Sequence, residues 1–146
     1  MKLISLFVIG IAFLLSDNKT NTTDQILTRE MIVEAFPEIS DLNSKKDSSP
    51  YPTTFYKGKL NGKELSCHIT IAYDIGTEAN LIRSMKYIKD AKETDELDVK
   101  AFYSPRLGQY SFIKNNNMIH VSAQFSPATG IKDKALFLAK GVLKNL

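Results

Sequence analysis

The residue types able to do covalent chemistry are few in this chain. The segment "SCHITIAYD", Ser66 to Asp74, places the sole cysteine beside one of the two histidines. A thiol next to an imidazole is a familiar nucleophile, because the imidazole takes the proton and leaves a thiolate. Strand periodicity argues against that reading. Leu65, Cys67, Ile69, Ile71 and Tyr73 alternate with Ser66, His68, Thr70, Ala72 and Asp74, the pattern of a strand with one apolar and one polar face. Neighbours along a strand point to opposite faces, so Cys67 and His68 cannot pair with each other. Cys67 is therefore expected to be a small core hydrophobe.

The second histidine lies in "MIHVSAQF", where Ile119, Val121, Ala123 and Phe125 share one face and His120 takes the other. If their strands are neighbours, His68 and His120 meet on the polar side of a sheet, with Asp74 or Glu64 nearby. Zinc usually takes three or four protein ligands, and no paired spacing such as H-x-x-x-H is present. Two hydrogen-bonded histidines are expected in place of a metal centre, and no cofactor is expected. A small metal-dependent or hydrolytic enzyme built on His68 and His120 is the rival reading.

No G-x-S-x-G elbow, Walker phosphate loop or dinucleotide fingerprint occurs. Ser104 has no base adjacent in sequence, and Asp95 and Glu96 read as solvated carboxylates in a polar connection. The stretch "FYSPRLGQY" sets Tyr103, Arg106 and Tyr110 around a Pro/Gly turn. Tyr and Arg commonly anchor binding surfaces, so these three form a candidate contact set for a partner or anionic ligand. The plainer expectation is a turn with both tyrosines half in the core and Arg106 in solvent.

The elements that must position these residues follow from local patterns. "LTREMIVEAFPEI" reads as a short helix capped by Thr28, with Ile32, Val33 and Phe36 on one face and Pro37 closing it. "SDLNSKKDSSPYP" reads as a surface loop. "TTFYKGKLNGKELSCHITIAYD" holds two strand-like runs around Asn61-Gly62, the strongest two-residue hairpin turn because both residues accept positive φ. That turn sets Leu60 opposite Lys63, Tyr56 opposite Cys67, Phe55 opposite His68 and Thr54 opposite Ile69.

Thr77 then caps an expected helix "EANLIRSMKYIKDAK", with Leu81, Ile82, Met85 and Ile88 as its apolar stripe. Arg83, Lys86, Lys89 and Lys92 lie mostly off that stripe. With Asp90, Glu93, Asp95 and Glu96 close behind, they read as a solvated face and not as a patch for an anionic surface. "LDVKAFYSPRLGQYSFIKNNNMIHVSAQF" reads as three strands. A two- or four-residue turn between the last two sets Tyr110 opposite Val121, Phe112 opposite Ile119 and Ser111 opposite His120, which keeps one face apolar. The chain closes on a helix whose stripe is Ile131, Ala135, Leu138, Val142 and Leu146, with Lys140 and Lys144 suiting its C-terminal dipole. The expected fold class is α+β: an antiparallel sheet of about five strands covered by helices, in the order α-ββ-α-βββ-α.

The opening "MKLISLFVIGIAFLLS" has a lysine, an uncharged apolar run and a polar exit, the three-part form of a secretory signal peptide. As a helix, Leu3 to Leu15 would span about 20 Å, short of a bilayer core of about 30 Å, so a cleaved leader is expected and no stable membrane span after cleavage. Residues 1–16 are assigned to the signal peptide, 17–24 to a polar linker and 25–146 to a single domain. The linker carries two N-x-T sequons, at Asn18 and Asn21, read here as polar linker composition. A lone cysteine makes no internal disulfide, so the core must supply stability. The formal net charge of +3 includes Lys2 of the leader and is too balanced to imply nucleic acid.

Two stretches carry a resemblance. "AFYSPRLGQYSFIKNNNMIHVSAQF" followed by "ALFLAKGVLKNL" resembles the second half of a family of small exported bacterial proteins of unknown function, many of them lipoproteins. "DQILTREMIVEAF" and "CHITIAYD" occupy the places of that family's first helix and cysteine-bearing strand. The family is similar in fold to PsbP-like sandwiches and to the extracellular sensor domain of the mycobacterial kinase PknH. The resemblance implies a three-layer α/β/α arrangement around an antiparallel sheet and no agreed activity. Many relatives carry a second cysteine before the first helix, where this chain has Asp24-Gln25-Ile26, and a lipid-bearing cysteine that this chain lacks. No functional residue transfers from it.

These readings converge on an exported, periplasmic or extracellular, non-catalytic protein that binds an unknown protein or small ligand. An immunity-type or inhibitor protein is the other rival.

Overall fold

A computed structural model describes residues 21–146 of the chain. The expected leader, and residues 17–20 of the expected linker, lie outside the described residues. The described elements are helices α1 (Thr23–Ile26), α2 (Arg29–Ala35), α3 (Glu78–Met85) and α4 (Lys132–Asn145) and strands β1 (Ser40–Asp47), β2 (Thr53–Leu60), β3 (Lys63–Ala72), β4 (Lys92–Thr94), β5 (Ala101–Ser104), β6 (Gln109–Lys114), β7 (Asn117–Phe125) and β8 (Thr129–Gly130). The strands form one open sheet in the order β1-β2-β3-β7-β6-β5-β4, with β8 beside the end of β7, and every pairing is antiparallel.

Turn chemistry sets the register at the centre. Asn61 and Gly62 take φ of 52° and 75° and join β2 to β3, so that Leu60 faces Lys63, Tyr56 faces Cys67 and Phe55 faces His68. Asn115 and Asn116, at φ of 50° and 60°, make the equivalent two-residue turn from β6 to β7. Two adjacent positive φ values match the twist of the flanking strands, and asparagine tolerates them better than most residues. Tyr110 then faces Val121, Phe112 faces Ile119 and Ser111 faces His120, as the apolar pattern predicts. Gly108, at φ of 55°, turns β5 into β6 where the backbone of Ala123 and Gly130 leaves no room for a side chain.

The sheet has two unlike faces. On the first, Tyr56, Leu65, Cys67, Ile69, Ile71, Tyr110, Phe112, Ile119, Val121 and Ala123 are buried, against Ala135, Leu138, Ala139 and Val142 of α4 and the apolar residues of α1 and α2. Each large aliphatic or aromatic side chain buried there contributes about 1.5–3 kcal/mol from removal of apolar surface from water. Tyr56 keeps its hydroxyl satisfied by donating to the Leu27 carbonyl at 2.8 Å. On the second face α3 covers only one end, packing Leu81 and Met85 on Ala72 and Met118 with Ile75, Ile88, Phe102 and Ile113 around them.

Several expectations are corrected by these elements. The stretch read as a surface loop contains β1, an exposed edge strand with no apolar alternation. Its backbone pairing with β2, the Arg29 side chain on the Leu42 carbonyl at 3.0 Å and the Lys46–Asp24 ion pair at 2.7 Å hold it in place. Lysines on such an edge discourage pairing with another chain. Among the described residues the sheet has eight strands and not about five, because β1, β4 and β8 are too short or too polar to show a periodicity. Helix α3 stops at Met85, short of the expected helix end. The chain then tightens through Tyr87 N–H to Ser84 O and Ile88 N–H to Met85 O, and Asp90 fastens it to the 104–106 turn. Val33 is 43% exposed and leaves the stripe of Ile32 and Phe36, both buried. Thr23 and Asp24, assigned to the linker, belong to α1, and the Thr23 hydroxyl is buried against that of Thr54 at 2.7 Å.

Candidate functional site

Away from α3, the second face of the sheet changes from apolar to polar. The two-residue alternation places Ser66, His68 and Thr70 of β3, His120, Ser122 and Gln124 of β7, and Gln109 and Ser111 of β6 on this same face. His68 pairs directly with Ser122, and Thr70 with His120. The two histidines are therefore diagonal neighbours on adjacent strands, a separation of about 7–8 Å between backbone positions. The sequence reading that they share one polar side holds. Of the carboxylates expected beside them, Asp74 lies past the end of β3 and is exposed, while Glu64 is on the same face four residues along the strand.

Each imidazole is fixed through Nδ1. The Ser122 hydroxyl lies 2.7 Å from His68 Nδ1, and the Ser111 hydroxyl lies 2.8 Å from His120 Nδ1. Gln109 Nε2 donates to Ser111 Oγ at 3.0 Å and also lies 3.3 Å from His120 Nδ1. An amide nitrogen only donates, so the Gln109 Nε2 contact requires His120 Nδ1 to be an acceptor, and Ser111 in turn donates to it. His120 then carries its hydrogen on Nε2, as a donor. Phe55 flanks His68 with ring centroids 5.5 Å apart. Burial pushes both imidazoles down to about 4, with each other's proximity adding to the shift at His120, so both are neutral at neutral pH.

Beyond Ser66 and Gln124 the polar row opens into a groove of about 430 Å³ at the sheet end, with Asn43, Lys57, Lys59, Glu64 and Ser126 on its walls. The Gln124 Oε1 atom is buried and has no hydrogen-bond partner among the described residues. A buried acceptor left unpaired costs about 1–3 kcal/mol, and native structures contain few. Sequence reading missed Gln124, and its polar-phase position on β7 was the one available signal.

The pair His68 and His120 could offer two nitrogen ligands to a metal. Among the described residues, no group of three or more His, Cys, Asp and Glu side chains is placed to complete such a site. Cys67 lies on the opposite face at 0% exposure, and burial pushes its thiol up to about 12. It is a thiol, not a thiolate, at any ordinary pH.

Tyr103, Arg106 and Tyr110 have separate fates. The two tyrosine rings stack at 4.6 Å on the first face, both buried. Tyr110 donates to Glu96 Oε2 at 2.8 Å, and Lys132 holds Glu96 Oε1 at 2.9 Å. Glu96 is therefore half-buried and partnered where solvation was expected, and its carboxyl is held below the usual range by Lys132 first and then by the Tyr110 and Thr94 hydroxyls. Arg106 is exposed on the turn, where its backbone N–H donates to Asp90 Oδ2 at 2.7 Å. The structure does not bring its guanidinium to the tyrosine pair. No helix among the described residues is long and apolar enough to cross a membrane. No family model, curated protein or solved structure matches this chain.

Proposed function

We propose that this protein is an exported, non-catalytic binding domain that takes a small polar ligand on the second face of its sheet. The observation that carries the reading is Gln124, a residue lining the groove whose buried Oε1 has no hydrogen-bond partner among the described residues. His120 Nε2–H adds a donor farther along the same row, and Lys57, which joins none of the salt bridges among the described residues, adds a cation at the groove wall. A ligand combining a donor group with an acceptor or anionic group matches that set. Binding without turnover is supported by the hydroxyls nearest the imidazoles: Ser122 and Ser111 are 0% and 1% exposed, out of reach of a substrate carbonyl. Export is supported by the three-part leader and by the resemblance to small exported bacterial proteins.

Native mass spectrometry of the protein recovered from its exported fraction tests this. The expected result is a small-molecule mass excess that disappears in Gln124→Met and weakens in Lys57→Ser. An excess unchanged by either substitution would contradict the assignment of the site.

A further inference from the structure

The outer face of α3 and the turn after it form a second surface, chemically unlike the groove. Arg83, Lys86 and Lys89 are exposed, and none of them joins a salt bridge among the described residues. Of the acidic residues that follow in sequence, Asp90, Glu93 and Glu96 are engaged elsewhere, and Asp95 is exposed and joins no salt bridge among the described residues. Asp90 accepts from the Ser104 hydroxyl at 2.8 Å and the Arg106 backbone at 2.7 Å. Glu78 and Glu93 both hold Lys100, and Glu96 holds Lys132 at 2.9 Å. Sequence proximity suggested cancellation of charge, and the fold diverts Glu93 and Glu96 to Lys100 and Lys132 while Asp90 and Asp95 keep their charge near the cations in sequence. Beside the cations in sequence stand Ile82, 39% exposed, before Arg83, and Tyr87, 85% exposed, between Lys86 and Lys89, two of the few large hydrophobic side chains left uncovered among the described residues.

We infer that this face docks on an anionic lipid surface, with the cations at the headgroups and Tyr87 and Ile82 entering the interface. Ile82 and Arg83 stand on the exposed side of a helix whose other side is buried, and Lys86, Tyr87 and Lys89 follow in the turn; cations beside exposed apolar side chains above a buried apolar side are what a peripheral membrane segment presents. Leu81 and Met85 supply that buried side here. Tyrosine suits the headgroup level because its ring is apolar and its tip is polar. A nucleic acid would pair with the cations but would give Ile82 nothing apolar to enter, so the aliphatic side chain selects lipid over phosphate polymer. At about 1 kcal/mol for each basic residue near an anionic surface, each cation contributes about fivefold in affinity.

The chain contains no tryptophan, so Tyr87→Trp in the full chain makes a single reporter at the proposed contact. On vesicles of phosphatidylglycerol and phosphatidylcholine its emission is expected to shift blue and to be quenched by lipids brominated on the acyl chains. Vesicles of phosphatidylcholine alone are expected to leave it at the solvent wavelength. In the same reporter, Arg83→Ser, Lys86→Ser and Lys89→Ser together are expected to weaken the lipid response about a hundredfold, and added salt to weaken it as well. The reporter reads position 87, so vesicle binding through the apolar N-terminal run does not mimic the result. Co-sedimentation with the anionic vesicles without a shift in the reporter's emission would overturn the inference. So would a shift that survives removal of the three cations, or an equal shift on neutral vesicles or on duplex DNA.

Discussion

The two faces of one sheet use the same strands for opposite purposes. Along β3, Leu65, Cys67, Ile69 and Ile71 are at 0–1% exposure against α4, while Ser66, His68 and Thr70 between them remain half-buried with none of the described helices above them. The first face satisfies its few polar atoms internally, as Tyr56 does with Leu27 and Tyr110 with Glu96. The second face ties its imidazoles down at Nδ1 and leaves Gln124 Oε1 without a partner among the described residues. A face built only for stability has no reason to keep such an atom, because an apolar side chain there would cost less.

That contrast is broken most severely by placing charge on the first face. Ile69→Asp is expected to unfold the domain, since an unpaired buried carboxylate costs several kcal/mol on top of the lost isoleucine. His68→Ala, one residue away, is expected to cost about 1–2 kcal/mol by leaving the Ser122 hydroxyl unpaired. Urea midpoints by circular dichroism compare the two, and equal losses would mean the strand phase is wrong.

Acid comes next in size. Both imidazoles sit at about 4 in the folded protein against an ordinary value of 6.5. Between those values the unfolded chain binds protons that the folded one refuses, so stability falls as pH drops from about 6.5 to about 4 and this contribution is flat below. The double variant His68→Gln with His120→Gln is expected to lose less stability over that window. A parallel decline would show that other groups carry it.

Smaller effects sharpen the first face. Tyr110→Phe is expected to cost about 1–2 kcal/mol, because a hydroxyl bonded to a carboxylate is lost and Glu96 is left to Lys132 and Thr94. Cys67 is expected to resist thiol reagents in the native state and to react fully in denaturant, since it is both fully buried and protonated. Rapid native labelling would move it off the core.

Where the sequence was legible, one physical signal acted alone. Asn61-Gly62 and the asparagines at 115 and 116 dictate turn geometry, and period-two alternation on β3 and β7 settles which side faces the helices. β1 was illegible because an edge strand with both sides toward water carries no alternation, and its hydrogen bonds depend on β2 being there first. The partners of Glu96 were illegible because Tyr110 and Lys132 reach it only through the fold. His68 and His120 could be placed on one side but not joined, since the adjacency of β3 and β7 is a topological fact that no local pattern contains.

The most direct test of the claim that the second face is kept for binding is the equilibrium stability of Gln124→Met in the absence of added ligand. A methionine of similar shape removes the unpaired acceptor and adds apolar surface, so the expected result is a urea midpoint equal to or above that of the natural chain. A loss of about 2 kcal/mol or more would mean that Gln124 holds the fold together, and would contradict the account.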